Sequence, residues 1–274
     1  MPKKSENIDD ILETLYVSTD SKISAIERIL YGTILEYLVD NLEIKEDKIK
    51  FTKKNVNTLQ NLNSVDSKIS SALEKLGTYI IKGILSLFSK TVDALSVFDT
   101  RAVESSDDVK KTITKHATEN VGINNNLSAV YSEIKQESIA LMSRYEGVSL
   151  QELRQYLQEK IKDKRIVNKY FNRWTGDIYS QYQRAAANEV RKKIGLKYAI
   201  YQGGLIETSR KFCIDRNNKV FSEDEIKSWA DLDFNGKPVT GYDPIIDCGG
   251  YNCRHRLDWV SDSFAKLYKK RQGV

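Results

Sequence analysis

The stretch LNSVDSKISSALEKLGTYI (residues 62–80) places leucine, isoleucine or valine at steps of three and four residues. Such spacing puts the apolar side chains on one stripe of a helix and leaves serine, lysine and glutamate on the other face. The same pattern runs from Ile23 to Leu38. We therefore predict that helices dominate residues 6–200, and that their narrow apolar stripes pack as a bundle or against a partner.

The positions of the prolines agree with this prediction. The chain has 274 residues and only three prolines, so residues 3–237 contain none. Proline in a helix interior costs about 3 kcal/mol, and a long proline-free stretch is typical of helices. The predicted fold class is mainly α, with a long bundle-like N-terminal part and a small α+β C-terminal domain.

Composition excludes several classes of protein. Hydrophobic residues make up 40% and charged residues 30%, with a net charge of +5 and three cysteines. These values exclude a disulfide scaffold and a collagen-like chain and are compatible with a reducing compartment. No apolar run follows Met1–Ser5, so we expect no signal peptide. The most apolar stretch, Leu76–Phe98, is interrupted by charges, so we expect no membrane span.

Two capping signals and a change in composition divide the chain. Ser149 and Glu152 form a capping box that predicts a helix to about Lys164, followed by another from about Lys169 to Lys193. Glycine and two prolines cluster after Tyr201. We predict three segments: a helical region of unassigned role (1–145), basic and aromatic helices (146–201), and a small α+β domain (202–274).

Within the last segment we predict a β-hairpin. Residues 211–216 and 219–221 form its strands, and Asn217-Asn218 forms its turn, because asparagine tolerates left-handed backbone conformations. Ser222 and Glu225 form a second capping box, which predicts a short helix to about Trp229. A strand over 257–260 and a final helix to Arg271 complete the prediction.

All three cysteines and one of the two histidines lie in this last segment. Zinc prefers four cysteine or histidine ligands in a tetrahedron. Cys213, Cys248, Cys253 and His255 therefore form a candidate zinc site. Their spacing lacks a C-x2-C pair, which leaves two alternatives: buried free thiols, or a disulfide from Cys213 to Cys248 or Cys253.

A basic stretch is the second candidate site. Residues 156–197 hold eleven basic and four acidic side chains, interleaved with aromatic ones. Such a surface can bind a polyanion. Alternatively, Tyr170, Trp174, Ile178 and Tyr182 lie at four-residue steps and form a core face whose solvated back carries the lysines. The candidate polyanion contacts are Lys160, Lys162, Lys164, Arg165, Lys169, Arg173, Arg191, Lys192 and Lys193.

An enzymatic role has weaker support in the sequence. Cys253 and His255 are a potential nucleophile and base, with Asp258 to orient the histidine. A small nuclease centred on His255, with Asp247 or Asp258, is a related alternative. Sequence neighbours seldom have the geometry that a nucleophile needs, and a metal nuclease usually gathers more acidic or histidine groups. We therefore predict no catalytic residues and no enzyme activity.

The C-terminal part resembles a known family. Residues 170–265 look like the C-terminal domain of the phage Mu F-like minor head (head morphogenesis) proteins and the helix before it. The segments that carry the resemblance are Tyr182–Glu189, Tyr201–Gly204, Glu207–Cys213, Lys219–Ile226 and Gly249–His255. Cys248 is not part of the family pattern. Residues 1–145 resemble no family that we can name.

The resemblance implies a structural role in the head of a tailed phage. Such proteins are internal virion components near the portal, and some take part in DNA packaging or delivery. By similarity, Arg210, Cys213, Cys253, Arg254 and His255 occupy signature positions. The last three lie in a segment that also holds Gly249, Gly250, Tyr251 and Asn252. The implied partners are the portal or major capsid protein and packaged double-stranded DNA. The implied location is the virion head, with the host cytoplasm during assembly. A zinc-stabilised nucleic-acid-binding module is the alternative function.

Overall fold

A computed structural model describes residues 7–120, 123–144 and 146–272. These residues are mainly helical, with a small β portion, which confirms the predicted fold class. The helices are α1 (Ile8–Asn41), α2 (Lys53–Gln60), α3 (Asp66–Ser96), α4 (Arg101–Glu104), α5 (Ser106–Asn120), α6 (Ile123–Met142), α7 (Leu150–Leu157), α8 (Ile166–Ile194), α9 (Lys211–Arg216), α10 (Glu223–Lys227), α11 (Pro244–Asp247) and α12 (Asp262–Gln272). The strands are β1 (Lys48–Ile49), β2 (Val148–Ser149), β3 (Tyr198–Gln202), β4 (Lys219–Ser222) and β5 (Arg256–Val260).

The chain forms two compact units, each built from separate stretches of sequence. The mixed unit, which holds helices and a three-stranded sheet, takes the described residues of Met1–Tyr16, Ile80–Asn120 and Thr175–Val274. The helical unit takes those of Val17–Tyr79 and Val121–Trp174. Neither unit is a single run of residues, in contrast to the three consecutive segments predicted from composition.

The predicted apolar stripes are buried. Ile23, Ile26, Leu30, Ile34 and Leu38 of α1 all lie in the interior, and so does the stripe that runs from Leu62 to Ile80. Helix positions at steps of three and four residues therefore form the core, as the periodicity predicts. No helix within the described ranges is both long and apolar enough to cross a membrane.

A polar network lies in the helical unit and joins α1 to the start of α8. The Arg165 guanidinium donates from Nε to Glu27 at 3.2 Å and from Nη2 to Asp20 at 3.1 Å. The Asn168 backbone N–H donates to the second oxygen of Glu27 at 3.0 Å. The Glu27 side chain is only 5% exposed. We call these four residues the acid–arginine network; it gives the buried carboxylate a partner on each oxygen.

The two capping boxes and the helices that they start agree with prediction. The Ser149 hydroxyl accepts from the Glu152 N–H, and the Glu152 carboxylate accepts from the Ser149 N–H, at the start of α7. Ser222 and Glu225 make the same reciprocal pair at the start of α10. A π-helical turn (Gln158–Asp163) and a 3₁₀ turn (Ser228–Asp231) extend these two helices to the predicted ends.

The sheet of the mixed unit is antiparallel, in the order β4-β3-β5. Ile200 lies opposite Val220 on one side and Asp258 on the other. Because side chains alternate along a strand, Ile200, Val220 and Val260 face one core, which α12 closes with Ala265. The neighbouring residue Tyr201 points to the opposite face.

The predicted hairpin over 211–221 is wrong. Residues 211–216 form helix α9, and β4 pairs with β3 instead. Phe212 and Cys213 are both buried while Ile214 is half exposed, a pattern that fits a helix turn and not the alternation of a strand. Asn218 does adopt a left-handed backbone, with φ of 59°, in the turn between α9 and β4.

Candidate functional site

Cys213, Cys253 and His255 meet in the interior of the mixed unit. The Cys213 and Cys253 sulfurs are 3.9 Å apart, and the Cys253 sulfur is 3.8 Å from His255 Nδ1. All three side chains are buried, and one potential ligand atom from each lies within 4.8 Å of the others. We call these three residues the Cys–His cluster.

Two elements deliver the cluster. Cys213 lies on α9, where its N–H and that of Ile214 donate to the Arg210 carbonyl in the first turn. Cys253 and His255 lie on the extended segment that leads from α11 into β5. The two-residue step between them turns both side chains the same way, as the sequence predicts for an extended segment.

Tyr201 is a functional neighbour that sequence reasoning missed. Its hydroxyl lies 3.3 Å from the Cys213 sulfur and 3.6 Å from the Cys253 sulfur. Its ring stacks on the His255 imidazole, with centroids 4.9 Å apart. Burial raises the pKa of Tyr201, so the hydroxyl stays protonated and can donate to a sulfur. The available signal was its place in Tyr201–Gly204, one of the segments that carry the family resemblance.

Arg184 of α8 was also missed as a site residue. Its Nη1 donates to the carbonyl of Cys253 at 3.0 Å and to that of His255 at 2.7 Å. The side chain is only 2% exposed. A buried guanidinium thus holds the backbone on which two of the three cluster residues sit. The available sequence signal was a large cationic residue directly before three consecutive alanines.

Gly249 leaves the space that the sulfurs occupy. A Cβ at this position would lie 2.5 Å from the Cys213 sulfur and 3.0 Å from that of Cys253. The Gly249 N–H donates to the Cys253 sulfur at 3.2 Å. Only a residue without a side chain allows this close approach of backbone to thiol. Gly250 follows with φ of 82° and donates its N–H to the Asp247 carbonyl.

The two thiols of the cluster differ in acidity. The pKa of Cys253 lies well below its ordinary value, because its sulfur accepts a hydrogen bond from Cys213 and faces His255 and Arg184, which together outweigh burial. The pKa of Cys213 is raised by that same hydrogen bond and by burial. Cys253 therefore loses its proton first, and its negative charge 3.9 Å away keeps Cys213 protonated.

Cys248 does not belong to this cluster. It is fully buried at the end of α11, with a left-handed backbone (φ of 49°), and burial raises its pKa to about 12. Its sulfur is not among the three potential ligand atoms that lie together. The four-ligand set predicted from the sequence is therefore reduced to three. All three cysteines are free thiols, so neither predicted disulfide is formed.

The carboxylates considered for catalysis are engaged elsewhere. Asp258 accepts from Arg256 Nε at 2.8 Å. Asp247 accepts from the Gln181 amide at 3.1 Å and from the Asp243 N–H at 2.8 Å. No carboxylate joins the group of potential ligand atoms found within the described residues. Neither aspartate is placed to orient His255 or to complete a nuclease site.

A cleft opens beside the cluster. Its volume is about 410 Å³, and its lining includes all three cluster residues together with Thr208, Arg210 and Arg254. The Arg210 guanidinium donates to the backbone carbonyls of two residues that are distant in sequence, Gly249 at 3.2 Å and Tyr251 at 2.6 Å. The cluster is thus buried but borders a space that a small molecule or an ion can enter.

The remaining signature residues hold the surrounding loop or face solvent. The Asn252 N–H donates to Asp177 at 2.6 Å. The guanidinium of exposed Arg254 lies 4.6 Å from the centroid of the Tyr16 ring. Tyr251 is about half exposed. Neither of these two contacts involves a sulfur, so they contribute to the frame of the site and not to the cluster itself.

No family model, curated protein or solved structure matches this chain. The Mu F-like resemblance therefore stays a prediction, carried by the quoted residues.

The basic stretch is mostly paired with acids or aromatic rings. In the helical unit, each described basic side chain of the candidate set has such a partner, and all but Lys162 are paired with a carboxylate. The pairs are Lys160 with Glu137, Lys162 over Tyr31, Lys164 with Glu159, Arg165 with Asp20 and Glu27, and Lys169 with Glu133. The side chain of Arg173 lies outside the described residues.

In the mixed unit, Arg191 is not on a surface, so its prediction as a polyanion contact is wrong. Its side chain is 3% exposed, donates to Glu223 at 2.9 Å and packs over the Trp259 ring. Lys192 and Lys193 are exposed; they pair with Glu189 and with the Ser105 carbonyl. A polyanion contact by the exposed lysines stays a prediction.

The predicted core face of α8 is shifted by one position. Ile178 is buried, but Tyr170 and Tyr182 are only half buried, and the side chain of Trp174 lies outside the described residues. The fully buried positions include Phe171 and Tyr179, each one residue further along. Four-residue steps drift around a helix of 3.6 residues per turn, so a repeated step of four locates a face only approximately.

Proposed function

We propose that this chain is a minor head protein of a tailed phage, a non-enzymatic internal component of the virion near the portal. It acts in head morphogenesis or in the packaging or delivery of DNA. Its partners are the portal or major capsid protein, and packaged double-stranded DNA lies against it. The chain is made in the host cytoplasm and is then incorporated into the virion head.

One observation supports this proposal above the others. The residues that carry the Mu F-like resemblance come from separate stretches of sequence and converge on one buried site. Cys213 meets Cys253 and His255 across about forty residues, and Arg210 reaches the Gly249 carbonyl. A chance match of short motifs has no reason to converge in this way. Several of the residues that carry the resemblance therefore build one buried site.

The chemistry of the site favours a structural role over catalysis. Arg184 and Arg210 each donate to two backbone carbonyls. Charge-assisted hydrogen bonds of this kind hold loops in place. The candidate acid partner of His255, Asp258, is paired with Arg256. Both arginines and Asp258 are thus engaged in contacts that hold the fold.

The test is to count this chain in purified particles. Phage particles from a culture that encodes the chain are separated on a density gradient, and quantitative mass spectrometry measures copies per major capsid protein. We expect a low and reproducible copy number that stays with DNA-filled heads. Absence from particles, while the chain is present in the lysate, would refute the proposal.

A pair of adjacent variants tests whether the signature site serves this role. Arg210→Ala removes both carbonyl contacts, and Lys211→Ala removes a neighbouring exposed charge whose partner is Asp215 in the same turn. We expect Arg210→Ala to lower incorporation into heads and Lys211→Ala to leave it unchanged. Equal incorporation of both variants would dissociate the signature site from head assembly.

A further inference from the structure

We propose that Cys213, Cys253 and His255 bind one zinc ion through two thiolates and one imidazole nitrogen. This inference rests on the geometry of the Cys–His cluster and does not depend on the proposed role in the phage head. It narrows the four-residue set predicted from the sequence to three ligands and leaves Cys248 out.

The spacing of the potential ligand atoms matches a tetrahedral zinc site. Zinc bonds of about 2.3 Å to sulfur and about 2.0–2.1 Å to nitrogen give tetrahedral edges of about 3.8 Å between sulfurs and about 3.5 Å between sulfur and nitrogen. The observed separations are 3.9 Å between the two sulfurs and 3.8 Å between Cys253 Sγ and His255 Nδ1. All three potential ligand atoms lie within 4.8 Å of one another, so the widest separation has to close by about 1.3 Å at most.

The surroundings resemble the outer shell of a metal–thiolate site. The Gly249 N–H donates to the Cys253 sulfur, and the Tyr201 hydroxyl lies within reach of both sulfurs. Outer-shell hydrogen bonds of this kind orient metal ligands and tune them. The arrangement places its donors around the sulfurs, where thiolates carry negative charge.

His255 is buried without a conventional partner on its ring. Its exposed fraction is 4%, and Nε2 has no hydrogen-bond partner among the described residues. With the proton on Nε2, the lone pair of Nδ1 faces the sulfur of Cys253 and is available to a metal.

Charge and access both permit an ion at this position. Zinc with two thiolates is neutral overall, so the loaded cluster places no net charge of its own beside the buried Arg184 guanidinium. The cleft of about 410 Å³ is lined by all three ligand residues. A water molecule from this cleft takes the fourth coordination position, as in zinc sites with three protein ligands.

The first test is a cobalt titration of the full-length chain, stripped of metal and kept reduced. Tetrahedral cobalt bound to thiolates absorbs strongly in the near ultraviolet and in the visible. We expect these bands to saturate at about one cobalt per chain and to disappear when zinc is added, because zinc takes the same ligands. The absence of thiolate bands in the wild-type chain would overturn the proposal.

Matched cysteine variants assign the ligands. Cys213→Ser and Cys253→Ser are expected to abolish the bands, whereas Cys248→Ser, which changes an equally buried thiol outside the cluster, is expected to keep them. Far-ultraviolet circular dichroism checks that each variant is folded. Bands that persist in folded Cys213→Ser or Cys253→Ser, or that vanish in folded Cys248→Ser, would overturn the ligand assignment.

X-ray absorption spectroscopy of the zinc-loaded wild-type chain gives an answer that needs no variant. We expect two sulfur ligands at about 2.3 Å and two lighter ligands at about 2.0–2.1 Å. A shell with oxygen and nitrogen only, or with three or four sulfurs, would contradict the proposed set.

Discussion

The two units hold their buried polar groups in opposite ways. In the helical unit, the acid–arginine network pairs a buried carboxylate with a guanidinium and a backbone N–H, so each Glu27 oxygen has its partner. In the mixed unit, the Cys–His cluster gathers two thiols and an imidazole whose mutual contacts are long, at 3.8–3.9 Å. The acid–arginine network thus supplies a hydrogen-bond donor to both oxygens of its carboxylate. The Cys–His cluster retains lone pairs that are not used in short hydrogen bonds.

This difference distinguishes a polar centre that only stabilises from one that can also bind. Groups that are fully paired with each other have little to offer a ligand, and removing one partner leaves a buried charge behind. Groups that are close but weakly bonded can still bind an ion. We therefore expect substitution of Arg165 to lower the stability of the helical unit, and metal binding to raise the stability of the mixed unit.

The largest effect is expected from Arg165→Ala. The substitution leaves the buried Glu27 carboxylate with only the Asn168 N–H, and it should lower the free energy of unfolding by about 3 kcal/mol. Urea denaturation followed by circular dichroism measures it. The adjacent variant Lys164→Ala removes an exposed pair with Glu159 and should leave the midpoint unchanged. Equal midpoints for the two variants would mean that the network contributes no stability.

Metal removal should act on the other centre. Free zinc at a hundred times its dissociation constant should raise the free energy of unfolding by about 3 kcal/mol over the chelated chain. Thermal melts with and without chelator measure this shift. Cys253→Ser should show no shift, because it lacks a ligand. If neither zinc nor chelator changes the melting temperature of the wild-type chain, the Cys–His cluster binds no metal and does not differ from the acid–arginine network in this respect.

Gly249→Ala should disturb the cluster by crowding. The added methyl group would lie 2.5 Å from the Cys213 sulfur, and relief of such a contact costs about 1–3 kcal/mol. Gly204→Ala is the matched control, because a Cβ there meets nothing within 4 Å. Denaturant melts should therefore separate the two variants. If both behave like wild type, the sulfurs are not confined by this backbone.

The smallest effect concerns an ion pair of the mixed unit. Its hydrogen bond with Arg191 lowers the pKa of Glu223 from 4.5 to about 2. Because the carboxyl pKa is lower in the folded chain, the ionised carboxylate stabilises the fold at a pH above its ordinary pKa. This contribution is lost as the pH falls from about 4.5 towards 2. Because water screens the partly exposed pair, Glu223→Gln should cost about 1–2 kcal/mol at neutral pH.

Melts of Glu223→Gln and wild type across this pH range test the linkage. The stability difference should shrink as the pH falls below about 4.5. Glu207→Gln, in an exposed loop, serves as the control and should follow wild type at every pH. A difference that is constant with pH would separate the effect from the charge of Glu223.

Features that depend on near neighbours were predictable from the sequence. The capping boxes at Ser149 and Ser222 formed as predicted, because each is satisfied within four residues of chain. The buried stripe of α1 followed from its spacing alone. The strand and helix at the C-terminal end of the described chain also agree with prediction.

Features that depend on distant parts of the chain were not predictable. The segment 211–216 has no strong local preference, and burial of Phe212 and Cys213 against distant residues decides for a helix. Arg184 acts on carbonyls about seventy residues away, which no local pattern encodes. Cys248 lies five residues from Cys253, yet its left-handed backbone at the end of α11 directs its sulfur elsewhere.

The mixed unit also carries a consequence for synthesis on the ribosome. Asp9 in the first helical turn pairs with Arg256 in the last strand, 247 residues later. At about 5–20 residues per second, roughly 10–50 s separate the synthesis of these two residues. During that time the apolar side chains Ile11, Leu12 and Leu15 lack much of the unit that buries them. We therefore expect the nascent chain to present an apolar N-terminal helix to chaperones until β5 has been made.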